Sequence, residues 1–249
     1  MLFRSRRLHL APDRISGGRA TLTPEARHYL ADVLRLAPGA PLEVFDGRGG
    51  AYDAAFEEGE SVALGPRREV PPPSARVWLA FALAKGEKAE LVVQKATELG
   101  VARLLPFQAG RSVVRLDAGR AVERARRWRR VAEEAARQCG RSEVPEVSVP
   151  GTLQSALAAA PAGFVRILFH AGDGEGLGAL CAPGAEGFLA VVGPEGGFTG
   201  AEVDAARAAG CRLGSLGPRV LRAETAAIAA AALIQFLAGD LAPDRPRQP

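Results

Sequence analysis

Two short glycine-and-proline segments near the carboxyl end hold the residues best suited to chemistry. Gly193-Pro194-Glu195-Gly196-Gly197 and Leu216-Gly217-Pro218 each follow an apolar run. Adjacent glycines adopt backbone conformations closed to other residues and leave peptide N–H groups unobstructed. Two such turns at the ends of strands paired side by side line a small-molecule pocket with main-chain groups. The second turn runs through Arg219-Val220-Leu221-Arg222-Ala223-Glu224-Thr225 into a helix made almost wholly of alanine, whose face lets another backbone come close. Arg222 is a cation beside a helix start, where the macrodipole disfavours it. Something anionic, Glu224 or a ligand, must compensate. The pattern predicts a cofactor site built from main chain rather than from side chains.

Other chemistries lack their residues. Gly174-Glu175-Gly176-Leu177-Gly178-Ala179 formally matches a dinucleotide fingerprint after an apolar run, but Pro183-Gly184 ends the helix that the fingerprint needs. No G-x-x-x-x-G-K-[ST] phosphate loop and no G-x-S-x-G nucleophile elbow occurs. His9, His28 and His170 have no metal-ligand spacing, so no metal site is expected. Cys139, Cys181 and Cys211 lie far apart and read as free thiols.

The elements that must position these turns divide at Pro71-Pro72-Pro73, an extended, semi-rigid spacer. Before it, Leu42–Gly47, Ala51–Phe56 and Ser61–Leu64 read as closely spaced short strands, as in a small barrel. Thr23 and Pro24 open a helix, one as cap and the other at the first helical position. After it, strands and helices alternate. Phe164–Phe169 and Phe188–Val192 are continuous apolar runs, as in central parallel strands. Thr199 and Glu202 form a capping box, and Ala223–Leu237 is the last helix. This alternation predicts an α/β domain with a mostly parallel sheet. The expected organisation is a first domain over 1–70, a linker over 71–74, an α/β domain over 75–240 and a loose tail over 241–249.

The chain of 249 residues carries a net charge of +4. Arginine outnumbers lysine and clusters at Arg4/Arg6/Arg7, Arg67/Arg68 and Arg120 through Arg130. Its planar fork donates two parallel hydrogen bonds to phosphate, so nucleic acid is the expected partner. The start lacks the apolar core of a secretion signal, and alanine is too weakly apolar for the last helix to read as a membrane span; a cytoplasmic location is expected.

Val192-Gly193-Pro194-Glu195-Gly196-Gly197-Phe198, with Leu216 through Ala226, resembles the signature of the ribosomal RNA small subunit methyltransferase E family, of the knotted SPOUT class. Lys85-Gly86-Glu87-Lys88, Gln94 through Val101, Arg127-Trp128, Glu134-Ala135-Ala136, Gln138, Arg141 and, in the first domain, Phe45-Asp46-Gly47 fit the same pattern. The resemblance implies a PUA-like RNA-binding barrel followed by an α/β domain with a deep trefoil knot, in a homodimer. It implies methylation of N3 of a specific uridine in small-subunit (16S) ribosomal RNA from S-adenosylmethionine, in ribosome biogenesis. By motif, Val192, Gly193, Pro194, Glu195, Gly196 and Gly197 would hold the cofactor together with Leu216, Gly217, Pro218, Val220, Leu221 and Arg222. The strand end at Leu168, Phe169 and His170 would add a third wall, with Arg219 inside the second turn. Arg222 would stabilise charge on the uracil oxygens, and Glu224 or Glu195 would accept the N3 proton. Arg4, Arg6, Arg7, Arg111, Gln138 and Arg141 would contact RNA. Ribose 2′-O methylation and a non-catalytic RNA-binding assembly factor are the alternatives. The chemical product separates the first from the expected activity, and cofactor binding separates the second.

Overall fold

The computed structural model describes residues 6–71, 73–170, 172, 174–181 and 184–241. The chain forms two compact units, one of residues 1–72 with 133–144 and the other of 73–132 with 145–247.

In the first unit, strands β1 (Arg7–His9), β2 (Ile15–Ser16), β3 (Arg19–Thr21), β4 (Pro41–Phe45), β5 (Gly50–Phe56), β6 (Ser61–Leu64) and β7 (Arg68–Glu69) make one sheet. Its order is β1-β4-β5-β6-β3-β2, with β7 also on β5. Only β1 and β4 pair in parallel, with Leu8 opposite Val44. Helix α1 (Pro24–His28) starts as expected, the Thr23 side chain accepting from the Ala26 N–H with Pro24 in the first turn. One π-helical turn, Tyr29–Val33, follows it. Leu8, Leu30, Leu42, Val44, Phe56 and Val62 fill the core beneath the sheet.

The second unit is parallel throughout. Its strands are β8 (Arg76–Ala82), β9 (Arg103–Gln108), β10 (Glu146–Val147), β11 (Gly151–Thr152), β12 (Phe164–Phe169), β13 (Glu175–Gly176), β14 (Gly187–Val192) and β15 (Arg212–Ser215). Their order is β10-β9-β8-β14-β12-β15-β13, with β11 on β9. The helices are α2 (Lys88–Glu98), α3 (Ala118–Cys139, which from residue 133 onward belongs to the first unit), α4 (Leu153–Ala159), α5 (Leu177–Leu180), α6 (Gly200–Ala208) and α7 (Ala223–Leu237). All six residues of β14 are buried, as a strand covered on both faces requires. Strand β12 admits one charge, Arg166, whose guanidinium donates to the Ala160 and Pro161 carbonyls. Ala227, Ala230 and Ala231 are buried on α7, which packs against β8, β14 and α2. Helix α5 has only four residues, too short to serve a dinucleotide fingerprint.

One expected pairing is corrected. Strands β14 and β15, which lead into the two glycine turns, do not pair with each other. Strand β12 lies between them, with Phe169 opposite both Val192 and Gly214. The chain leaves β14, crosses over by α6 and returns beyond β12. At a strand spacing of roughly 4.8 Å, the two turns are therefore about 10 Å apart, and the end of β12 sits between them.

Candidate active site

That spacing opens a cavity of about 380 Å³ at the carboxyl ends of β12, β14 and β15. Ligands of open parallel sheets bind at this end, and the volume lies within the usual range for small-molecule sites. Gly193 through Gly197 form one side of the cavity. Leu216, Gly217, Val220 and Leu221 form another, and Phe169 with His170 the wall between them.

Main chain and small residues shape the walls. A Cβ at Gly193 would lie 2.9 Å from the Phe198 ring. A Cβ at Gly196 would lie 3.3 Å from Arg111 Cβ. Gly197 and Gly217 take φ of +69° and +100°, a region that favours glycine. Gly197 closes its turn by donating to the Pro194 carbonyl at 2.8 Å.

A second set of contacts brackets the first turn from the side. Thr199 and Glu202 form the expected capping box at the start of α6. The Glu202 carboxylate also accepts from the Gly110 N–H at 2.7 Å. Arg111, next in sequence, donates to the Gly196 carbonyl at 2.9 Å. Burial pushes the Glu202 carboxyl up, but the N–H groups of Thr199 and Gly110, the Thr199 hydroxyl and the charge of Arg111 together hold it below its ordinary range. Gln108 closes the same loop at its base, exchanging hydrogen bonds with the Leu116 backbone.

Of the groups expected to handle charge, Arg222 is the exposed residue that precedes α7. No ion pair joins it to Glu224 among the described residues. The partner of Glu224 is Lys88, with Nζ 3.5 Å from Oε2, and the same ammonium lies 2.7 Å from Glu195 Oε1. The hydrogen bond from Lys88 is the main reason that the Glu195 carboxyl sits below its ordinary range.

Several expected residues fall elsewhere. Leu168 is fully buried in the core and does not line the cavity, because alternation along β12 turns it away; Phe169 lines the wall with His170. Pro218, Arg222 and Glu224 also lie outside the lining. Arg7 is 4% exposed, and its guanidinium donates to Glu43 and to the Ala136 and Arg141 carbonyls, so a phosphate grip is corrected to a buried structural role. Arg4 lies outside the described residues. Arg6 and Gln138 are exposed, and Arg141 is half-buried. Phe169, expected in the third wall, and Arg219, within the expected Leu216–Leu221 turn, both line the cavity. The sequence reading missed Phe198, Gly214, Ser215, Ala223 and Ala226, which also line it. Apart from Gly214 and Ser215, these stand in the motif strings, and only the strand order shows that they meet.

Residues 71–235 match the RNA methyltransferase domain, and residues 22–62 match the RNA methyltransferase PUA domain. Ribosomal RNA small subunit methyltransferase E of Bacillus subtilis is 32% identical over 87% of this chain and 89% of its own length. The Mycobacterium bovis protein of the same name is 34% identical over 89% and 88%. The chain belongs to the ribosomal RNA small subunit methyltransferase E family. Within that family, the Neisseria gonorrhoeae protein solved bound to S-adenosyl methionine has a TM-score of 0.84 and 29% identity over 95% of this chain and 99% of its own. A Legionella pneumophila protein solved in complex with the same cofactor has a TM-score of 0.86 and 31% identity over 94% and 98%. The α/β architecture inferred above from strand–helix alternation is therefore a methyltransferase fold, common to this chain and to structures that hold the cofactor.

Proposed function

We propose that this protein methylates N3 of a specific uridine in small-subunit ribosomal RNA, with S-adenosylmethionine as methyl donor. The observation that carries this reading is the cavity at the carboxyl ends of β12, β14 and β15, walled by two glycine turns. The residues present fit the cofactor. The walls combine main chain at Gly193–Gly197 and Leu216–Gly217 with apolar surface from Phe169, Val220 and Leu221, which suits a ligand with one polar and one flat aromatic part. When bound, the cofactor supplies an electrophilic methyl group on a sulfonium.

The chain's own residues must do the rest. Uridine N3 carries a proton and is a poor nucleophile until that proton leaves, so the site must align the base, accept the proton and stabilise the charge left on the ring. Arg222 is assigned to the uracil oxygens, where negative charge develops; it is exposed and makes no ion pair among the described residues. Glu195, which lines the cavity, or Glu224, which backs its wall, is assigned to accept the proton; the Lys88 ammonium lies 2.7 Å from Glu195 Oε1 and 3.5 Å from Glu224 Oε2. The target base must leave its stack to reach such a cavity. Arg111, on the cavity rim, and Arg6, Gln138 and Arg141 in the first unit are assigned to RNA.

Residues 1–70 form a PUA-like RNA-binding barrel, 71–74 a linker and 75–240 a SPOUT domain whose crossovers tie a deep trefoil knot. The protein works in the cytoplasm as a homodimer, for which the half-exposed Leu233, Phe236 and Leu237 of α7 offer an apolar surface. The test has two parts. Calorimetry should detect binding of S-adenosylmethionine and of its demethylated product. Mass spectrometry of digested ribosomal RNA should find one base-methylated uridine that is missing from cells without the protein. A ribose-methylated product, or a folded protein without affinity for the cofactor, overturns the reading.

A further inference from the structure

Lys88 occupies a position that its own helix disfavours. It is the first residue of α2, where the helix dipole opposes a cation, and Glu87 before it provides no side-chain cap. What compensates comes from two other elements. Glu195 Oε1, in the turn after β14, lies 2.7 Å from Nζ; Glu224 Oε2, in the first turn of α7, lies 3.5 Å from it. The first segment walls the cofactor cavity directly and the second contributes Ala223 and Ala226 to it, and the two acids are 29 residues apart in the chain (224 − 195). A second, much smaller cavity, lined by Phe81, Lys88, Val192, Gly193 and Glu224 among others, lies on this side of the turn. Gly193 lines both cavities, so Lys88 and Glu224 back the wall whose front faces the cofactor.

We infer that Lys88 is a positioning residue for methyl transfer: its single ammonium ties the Gly193–Gly197 turn to the start of α7 and fixes the separation of the cavity's two walls. The inference rests on the proposed function. Ala223 and Ala226 at the start of α7 line the cavity opposite the Gly193–Gly197 turn, so a tie between these two segments sets how far apart their walls stand. Displacement of a reacting group by about 1 Å costs on the order of a hundredfold in rate, whereas a partly exposed ion pair adds little to global stability. The same ammonium faces both candidate proton acceptors, Glu195 and Glu224.

The test compares Lys88→Met, Lys88→Gln and Lys88→Arg in the full-length protein. Calorimetry with S-adenosylmethionine, methylation kinetics on small-subunit ribosomal RNA lacking the modification, and thermal melting are the three readouts. Lys88→Met and Lys88→Gln should raise the cofactor Kd about tenfold and lower kcat by more, with melting close to wild type, and Lys88→Arg should recover most of both. Lys88→Met should have no further effect on the cofactor Kd in a Glu195→Gln, Glu224→Gln background, since nothing is left to tie. Wild-type Kd and kcat in Lys88→Gln overturn the inference, as does a loss of activity that merely follows a fall in melting temperature. A wild-type protein that binds no cofactor overturns the proposed function instead, and calorimetry on the unmutated chain reads that outcome separately.

Discussion

Gly193 is where a single hydrogen atom in place of a methyl group keeps the cavity open. A Cβ there would meet three atoms of the Phe198 ring at 2.9–3.1 Å. That ring is buried and stacked on Phe107, with centroids 6.4 Å apart and planes 10° from parallel, so it cannot yield without disturbing the core. Gly193→Ala should therefore cost about 1–3 kcal/mol of stability, as overpacking does, and should weaken cofactor binding at least tenfold. Urea unfolding and calorimetry measure the two, and an unchanged Kd would remove Gly193 from the cavity wall. Arg222 calls for the opposite pattern. It is exposed and outside the lining, so Arg222→Ala should leave folding and cofactor affinity near wild type while methyl transfer is lost, by roughly a hundredfold or more for a group that stabilises transition-state charge. Normal turnover in that variant would take Arg222 out of the mechanism.

Among the elements, α6 shows how a capping motif read from sequence can have a second function that the sequence hides. Thr199 and Glu202 were legible as a capping box because both partners lie within one turn. The Gly110 N–H, which shares the same carboxylate at 2.7 Å, is 92 residues away (202 − 110) and no local pattern announces it. The fold divides the same way. The cap at Thr23, the span of α7 and the parallel strands follow from periodicity and end signals. The insertion of β12 between β14 and β15 does not, since strand order is settled by crossovers and the sequence carries only strand content. Glu202 offers a pH test of its bridging role. Its folded-state pKa is depressed, so the stabilisation is complete above the unfolded-state value and is lost as pH falls through the folded one. Wild type should exceed Glu202→Gln in stability at pH 7, and the difference should shrink as pH drops below the ordinary value of 4.5. Urea unfolding of both proteins across pH 3–7 measures it (about four pH units, wide enough to span the transition). A constant difference would mean that the carboxylate's charge is not what the bridge uses.

At the scale of the whole molecule, a net charge of +4 says little, because what matters for RNA is which arginines remain unspent. Arg7 is enclosed, Arg127 is paired with Glu90, and Arg129 donates to the Val147 carbonyl. Arg126 and Arg130, on the exposed face of α3, make no ion pair among the described residues and are solvent-accessible. Phosphate contact releases condensed counterions, so log K falls linearly with log salt, by about 0.7 per phosphate neutralised on single-stranded RNA. Binding of small-subunit ribosomal RNA should therefore weaken steeply between low and physiological salt. Arg126→Ala with Arg130→Ala should flatten the slope by roughly 1.4, two contacts at that increment. Arg7→Lys should instead lower stability and leave the slope alone, because a buried guanidinium holding backbone carbonyls releases no counterions. Filter binding or fluorescence anisotropy over a salt series separates the two effects. Equal slopes for wild type and the α3 double variant would place the RNA backbone on some other face of the molecule.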